Sequence, residues 1–188
     1  MGQRKRIYMS KQNLTLHTNP KGMLALRMPS TADGSEVWKL VSECPPLDQN
    51  SMYMNVVQCD HFAQTCVIAE RDGQILGWVS GHIPPDSPDT VFVWQVAVHD
   101  DARGLGLGKR MLKALLERPA CTKVTKLETT ITKSNAASWG LFKSFARDMG
   151  GELTDAPHYE REEHLDGQHA TEHLVTISLP RKKLRSVA

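Results

Sequence analysis

Residues 90–99, TVFVWQVAVH, are the most apolar run in the chain, and after only three intervening residues the octet RGLGLGKR begins at 103. A strand apolar on both faces belongs in the middle of a sheet that is covered on each side. Alternating glycines at the turn from such a strand into a helix let backbone N–H groups come close to an anion. The N-terminus of the helix adds a positive field there. These two stretches point to an α/β chain whose central strand leads into a turn suited to an anion.

The other elements follow from periodicity and breakers. Leu24, Leu26 and Met28 alternate as a short strand. Asp33 or Ser35 can cap a helix that ends before Cys44-Pro45-Pro46, and a second short helix is expected over 51–57. Strands over 65–70 and 74–83 flank an Asp72-Gly73 hairpin turn. A helix over 106–117 stops at Pro119, and a threonine-rich strand covers 123–132. In the helix from 134 or 135 to 149, Ala137, Leu141, Phe145 and Met149 recur every four residues as its buried stripe, and Gly150-Gly151 closes it. Strands over 152–156 and 172–179 end the body, with a polar loop crowded with His and acids between them. The fold class is α/β.

With 188 residues, 40% hydrophobic and 23% charged, the chain can bury one sizeable core. All 21 acidic residues fall within 22–180. The ends are basic: Arg4, Lys5, Arg6, Lys11 and Lys21 in front, Arg181, Lys182, Lys183 and Arg185 behind. We expect a disordered basic arm over 1–21, one domain over 22–180, and a basic tail over 181–188. An acidic body argues against a nucleic-acid partner and suits a small cationic one. No apolar stretch is long enough for a membrane span. The basic start lacks the apolar middle of an export signal, so a cytoplasmic location is expected. Cys44, Cys59, Cys66 and Cys121 have no metal or redox spacing and read as reduced, buried thiols.

Two familiar phosphate loops fail at the octet. A P-loop needs Gly at 103 and Ser or Thr at 110, where Arg stands twice; a dinucleotide fingerprint needs Gly at 109, where Lys stands. A glycine turn without a ligand remains the plain alternative. However, Arg103, Gly106 and Gly108 fit [Arg/Gln]-x-x-Gly-x-[Gly/Ala] after the Val96–Val98 strand, and Asn135, Ser138, Leu141 and Phe142 follow on the next helix. In that combination the chain resembles the GCN5-related N-acetyltransferase family. The resemblance implies a mixed sheet of about six to seven strands, splayed between the fourth and fifth and flanked by about four helices. It also implies acetyl-CoA as cosubstrate and no metal. Val96 and Val98 would pair with the pantetheine arm; the backbone of Arg103, Gly104, Leu105, Gly106, Gly108 and Lys109 would hold the diphosphate. Asn135 and Ser138 would touch the cofactor, although Asn135 can equally serve as a plain helix cap.

The stretches at 33–38, 77–84, 93–96 and 128–135 resemble more closely the branch of that family whose acceptor is L-2,4-diaminobutyrate, on the route to the osmoprotectant ectoine. This implies acetylation of the side-chain amine, and the family's habit of pairing implies a homodimer. Asp33, Glu36, Trp38, Trp78, Trp94, Gln95 and His158 are the expected substrate contacts, with core packing the alternative for each tryptophan. Glu160, His158 and Glu128 are the candidate catalytic groups, and for Glu128 an outward, solvated position is the alternative. The spacings of His158, His164, His169 and His173 form no familiar metal-ligand pattern; a solvated loop is the reading we adopt. Phe142 stands where many relatives carry a tyrosine acid. Acetylation of a different amine, or acyl-CoA binding without catalysis, are the competing functions.

Overall fold

The structure, a computed structural model, describes residues 15–19 and 22–180, with the backbone alone for 15–19. The rest of the basic arm and the tail over 181–188 lie outside the described residues. Eight strands form one sheet in the order β1-β2-β3-β4-β5-β6-β8-β7. They are β1 Thr15–Asn19, β2 Gly22–Arg27, β3 Val67–Arg71, β4 Gln74–His82, β5 Thr90–Val98, β6 Lys126–Thr132, β7 Glu152–Tyr159 and β8 Glu172–Ser178. The helices are α1 Gly34–Ser42, α2 Met52–His61, α3 Leu107–Leu116 and α4 Ala136–Met149. The six or seven strands expected for the body are present, and the added one is β1. It lies inside the stretch read as a loose arm and pairs antiparallel with β2.

Alternation along β3 shows why the sheet is covered on both sides. Val67 and Ala69 join a core with Met111, Leu112 and Leu115 of α3 and Phe145 of α4. Cys66 and Ile68 join a second core with Val37, Leu40 and Val41 of α1. One face therefore carries α3 and α4, the other α1. The Asp72-Gly73 turn has positive φ at both residues, 52° and 81°, as a two-residue hairpin turn requires.

Two irregularities in β5 shape everything that follows. First, β5 and β6 are parallel but pair only from Thr90↔Lys126 to Phe92↔Glu128, and beyond Phe92 they share no ladder. The expected splay lies here. Second, Ser80 faces Gln95 while Gly81 faces Val93, which leaves Trp94 as an extra, bulged residue. A one-residue bulge reverses which face each later side chain meets. Val91 and Val93 point into the α3/α4 core, and after the bulge Val96 and Val98 do so as well. Ala97 is turned to the α1 side, and Gln95, two residues away, goes with it.

In α4 the buried residues are Phe142, Phe145 and Ala146. Of the expected stripe, Phe145 is buried and Met149 packs against the core. Leu141 packs against the core and also lines a cavity, and Ala137 lines that cavity too. The apolar stripe continues past the core because its first half faces a ligand-sized space.

Candidate active site

Two cavities open where β5 and β6 part, and they share Pro46, Leu47, Val96, Asn135 and Ser138. The first, about 590 Å³, runs between the Arg103–Lys109 turn and the first turns of α4. The second, about 340 Å³, lies between the splayed strands, with Asp48, Trp94, Gln95, Thr130, His169 and Glu172 on its walls.

The first cavity is built for an anion. Among the described residues, no acceptor takes the backbone N–H groups from Gly104 to Lys109, so the first turn of α3 presents them to the opening. Gly106 caps α3 with φ 67°, and a Cβ built there meets nothing within 4 Å. At Gly108 a Cβ would meet Leu141 Cδ1 at 3.1 Å, so this glycine lets α3 approach α4. Lys109 does not aim its charge at the opening, because its Nζ donates to Ser144 Oγ at 3.0 Å and to Asp148 at 2.6 Å. Binding would fall to the backbone amides near Lys109. Arg103 bonds Asp100 at 2.9 Å and donates through Nε to Val98 O. Leu105 is exposed at the turn and does not line the cavity.

The shared wall follows the reading of α4. Asn135 Oδ1 accepts from the Ser138 N–H at 3.1 Å, the cap geometry, while both residues face both cavities. Phe142, 2% exposed, closes the inner end of the second cavity. Tyr53 and Tyr159, the tyrosines among the described residues, line neither cavity.

The second cavity is acidic. Burial pushes the Glu172 carboxyl above its ordinary value and the Asp48 charge adds to this, while Thr130, His169 and His173 pull the other way. A carboxylate with a raised pKa in a cleft is a candidate proton acceptor. Asp48 was not singled out in the sequence, and Glu172 figured there only among the acids of the His-rich stretch and as the first residue of a strand. The available signal was its place at the end of the His-rich stretch, opposite a threonine-rich strand.

Several expected site residues lie elsewhere. Trp78 is 0% exposed in the α1-side core. Trp38 faces neither cavity and donates its Nε1–H to Asn50 O at 3.0 Å. Glu36 is exposed and paired with Lys39. Glu128 accepts from the Thr176 hydroxyl at 3.2 Å on the sheet, outside both cavities. His158 and Glu160 are exposed at the end of β7, which runs through Pro157 to Tyr159 rather than stopping at 156. His158 packs at a tilt of 54° against Tyr159, and the Glu160 N–H donates to His164 Nδ1. Edge strands tolerate proline, so the expected loop begins later than its composition suggests. Trp94 and Gln95 do line the second cavity. Among the described residues no group of three His, Cys, Asp or Glu could hold a metal ion.

Asp33 is also displaced from its expected role. It pairs with Arg27 at 2.7 Å, and Arg27 bridges on to Glu70. Burial pushes the Asp33 carboxyl up, but Arg27 and Ser30 outweigh it and hold it below the usual range. Its contribution to stability is therefore present above the unfolded carboxylate pKa and is lost as pH falls through the lower folded value. Asp33→Asn should cost about 2 kcal/mol in chemical unfolding at pH 7. It should cost less on acidification and leave the KM of the acceptor unchanged; an altered KM would return Asp33 to the site.

This geometry agrees with the comparisons. Residues 35–146 match the Acetyltransferase (GNAT) family. The chain belongs to the GNAT acetyltransferase family. Among GNAT relatives, the L-2,4-diaminobutyric acid acetyltransferase of Methylotuvimicrobium alcaliphilum is 45% identical over 155 residues, 82% of this chain and 90% of that one. That of Vibrio cholerae is 44% identical over 153 residues, 81% and 88% of the two chains. Among solved structures, diaminobutyrate acetyltransferase EctA from Paenibacillus lautus, in complex with L-2,4-diaminobutyric acid and coenzyme A, superposes with a TM-score of 0.79. It is 39% identical and covers 83% of this chain and 95% of its own. Ard1 from Thermoplasma volcanium, 15% identical with a TM-score of 0.65 over 84% of this chain and 99% of its own, shares the GNAT fold.

Proposed function

We propose that the chain transfers the acetyl group of acetyl-CoA to the side-chain (4-) amine of L-2,4-diaminobutyrate, on the route to ectoine that the resemblance implies. The observation that carries this reading is the junction of an anion-binding cavity with an acidic one at Val96, Asn135 and Ser138. The turn over 103–109 fits a diphosphate, and the free edge of β5 beside Val96 fits an amide-bearing arm. At Val98 the carbonyl already accepts from Arg103 Nε and Cys44 Sγ, so Val96 offers the more open contact. Bound there, acetyl-CoA supplies an acyl group activated as a thioester.

The chain's own groups act on the amine. An alkylammonium of pKa about 10 is neutral in only about one molecule in a thousand at pH 7, a cost of about 4 kcal/mol. Glu172 faces the acceptor cavity and can take that proton. Asp48 and Glu172 together suit a substrate with two ammonium groups, and Trp94, 45% exposed, forms an aromatic wall for it. Backbone N–H groups beside the Trp94 bulge can receive the developing oxyanion. Among the described residues no phenol lines either cavity to protonate the thiolate, and a thiolate leaves without one.

We also read the enzyme as a cytoplasmic homodimer with no nucleic-acid partner. Support comes from the exposed edge strand β7 and from exposed Met52 and Tyr53 on α2. No helix among the described residues is long and apolar enough to cross a membrane. The test of function is CoA release across an amine panel. Diaminobutyrate should exceed spermidine and an N-terminal peptide in kcat/KM by at least about 100-fold. Faster turnover of either competitor would overturn the assignment, and acetyl-CoA binding without turnover of any amine would leave a silent module.

A further inference from the structure

The loop between α1 and α2 walls both cavities, with Cys44 and Pro45 on the cofactor side, Asp48 on the acceptor side, and Pro46 and Leu47 on both. Its first half holds itself, because Cys44 N donates to Val41 O and Leu47 N to Cys44 O. Its second half has no such support: among the described residues, 48–50 make no backbone–backbone hydrogen bond. Three side-chain bonds hold it instead. Gln95 Nε2 donates to Asp48 O at 2.6 Å, Asn50 Nδ2 donates to Gln95 Oε1 at 3.2 Å, and Trp38 Nε1 donates to Asn50 O at 3.0 Å.

Gln95 can do this only because the bulge at Trp94 reverses the strand's facing. Without the extra residue, Gln95 would continue the row of Val91 and Val93 into the α3/α4 core. At 5% exposure its amide bonds act with little competition from water. With both ends of the amide engaged by the loop, Gln95 has a defined task other than touching the substrate.

We infer that Gln95 is a positioning residue: it clamps the α1–α2 loop so that the Asp48 carboxylate faces Glu172 across the acceptor cavity, and so controls affinity for the amine separately from affinity for acetyl-CoA. This rests on the second cavity being the acceptor's. It adds that acceptor affinity is governed by a glutamine acting through a loop backbone.

A double-mutant cycle tests the clamp in the full chain. Gln95→Leu keeps the shape and loses both bonds. It should raise the KM for diaminobutyrate about 10-fold, with kcat within about 3-fold and the KM for acetyl-CoA within about 2-fold. Asp48→Asn should raise the acceptor KM by at least as much. Because Gln95 acts through Asp48, the double variant should exceed Asp48→Asn by no more than about 2-fold. Effects that multiply would show that Gln95 acts independently, and the clamp would be wrong. It would also be wrong if both KM values rose together with a fall in melting temperature, since that is a structural role. A wild-type acceptor KM in Gln95→Leu would overturn it directly. Asn50→Ala, which removes only the outer bond, carries the same readings should Gln95→Leu fail to fold. If the wild type acetylates a different amine, the diaminobutyrate assignment fails, and the same cycle on that amine still decides the clamp.

Discussion

Gly106→Arg should abolish measurable acetyl-CoA binding, a loss of at least about 100-fold by calorimetry, while the protein stays folded. The position has φ 67° and caps α3, so any other residue pays for a left-handed conformation, about 1–2 kcal/mol. That is a few degrees of melting temperature for a domain of this size. Nothing lies within 4 Å of a Cβ there and Gly106 lines the first cavity, so the expected course of the new side chain is into that cavity. The test is sharp because arginine adds a positive charge, which by itself would attract a diphosphate. Loss of binding would mean that occupied space outweighs added charge. Gly106→Ala, with the same backbone strain and only a methyl group, should lose much less. Wild-type affinity in Gly106→Arg would show that the diphosphate sits elsewhere.

That position was legible in the sequence because its chemistry admits few residues: a left-handed cap and unshielded amides both call for glycine. Asn135 was legible for a similar reason, since capping and facing the cavity need the same side chain. The acceptor side was harder to read. Apolar residues on both faces of β5 conceal the slip at Trp94, because Val-Phe-Val before it and Val-Ala-Val after it look alike in either facing. The side to which Gln95 turns is therefore visible only in the pairing with Ser80. Trp38 and Asp33, expected as substrate contacts, line neither cavity and hold the surroundings of α1 instead. The strand expected over 152–156 stops short of Pro157, so His158 and Glu160 read as the start of a loop, whereas β7 runs on to Tyr159. Composition could identify an acidic, His-rich stretch, but only the sheet order, with β8 beside β6, brings one carboxylate from it to the splay.

Glu172→Gln should lower kcat at pH 7 by about 100-fold or more if this carboxylate takes the ammonium proton, the usual range for a positioned base. Burial raises its pKa, so the protonated, inactive form persists to a higher pH than for a free glutamate. Wild-type kcat/KM should rise through that raised pKa and rise again as the free amine appears. The glutamine variant should keep only the second rise, so its deficit shrinks towards high pH, where neutral amine no longer needs a base. The same group makes an opposite contribution to stability. A carboxyl whose folded pKa exceeds its unfolded value destabilises the fold above the folded pKa, and this is relieved as pH falls towards the unfolded one. Glu172→Gln should therefore be at least as stable as the wild type at pH 7, which separates a catalytic loss from unfolding. Glu160→Gln, altering an exposed carboxyl outside both cavities, should stay within about 3-fold of wild-type kcat. A pH-independent loss in Glu172→Gln would reduce Glu172 to holding an ammonium in place. An equal loss in Glu160→Gln would mean that the end of β7 folds over the acceptor cavity during turnover.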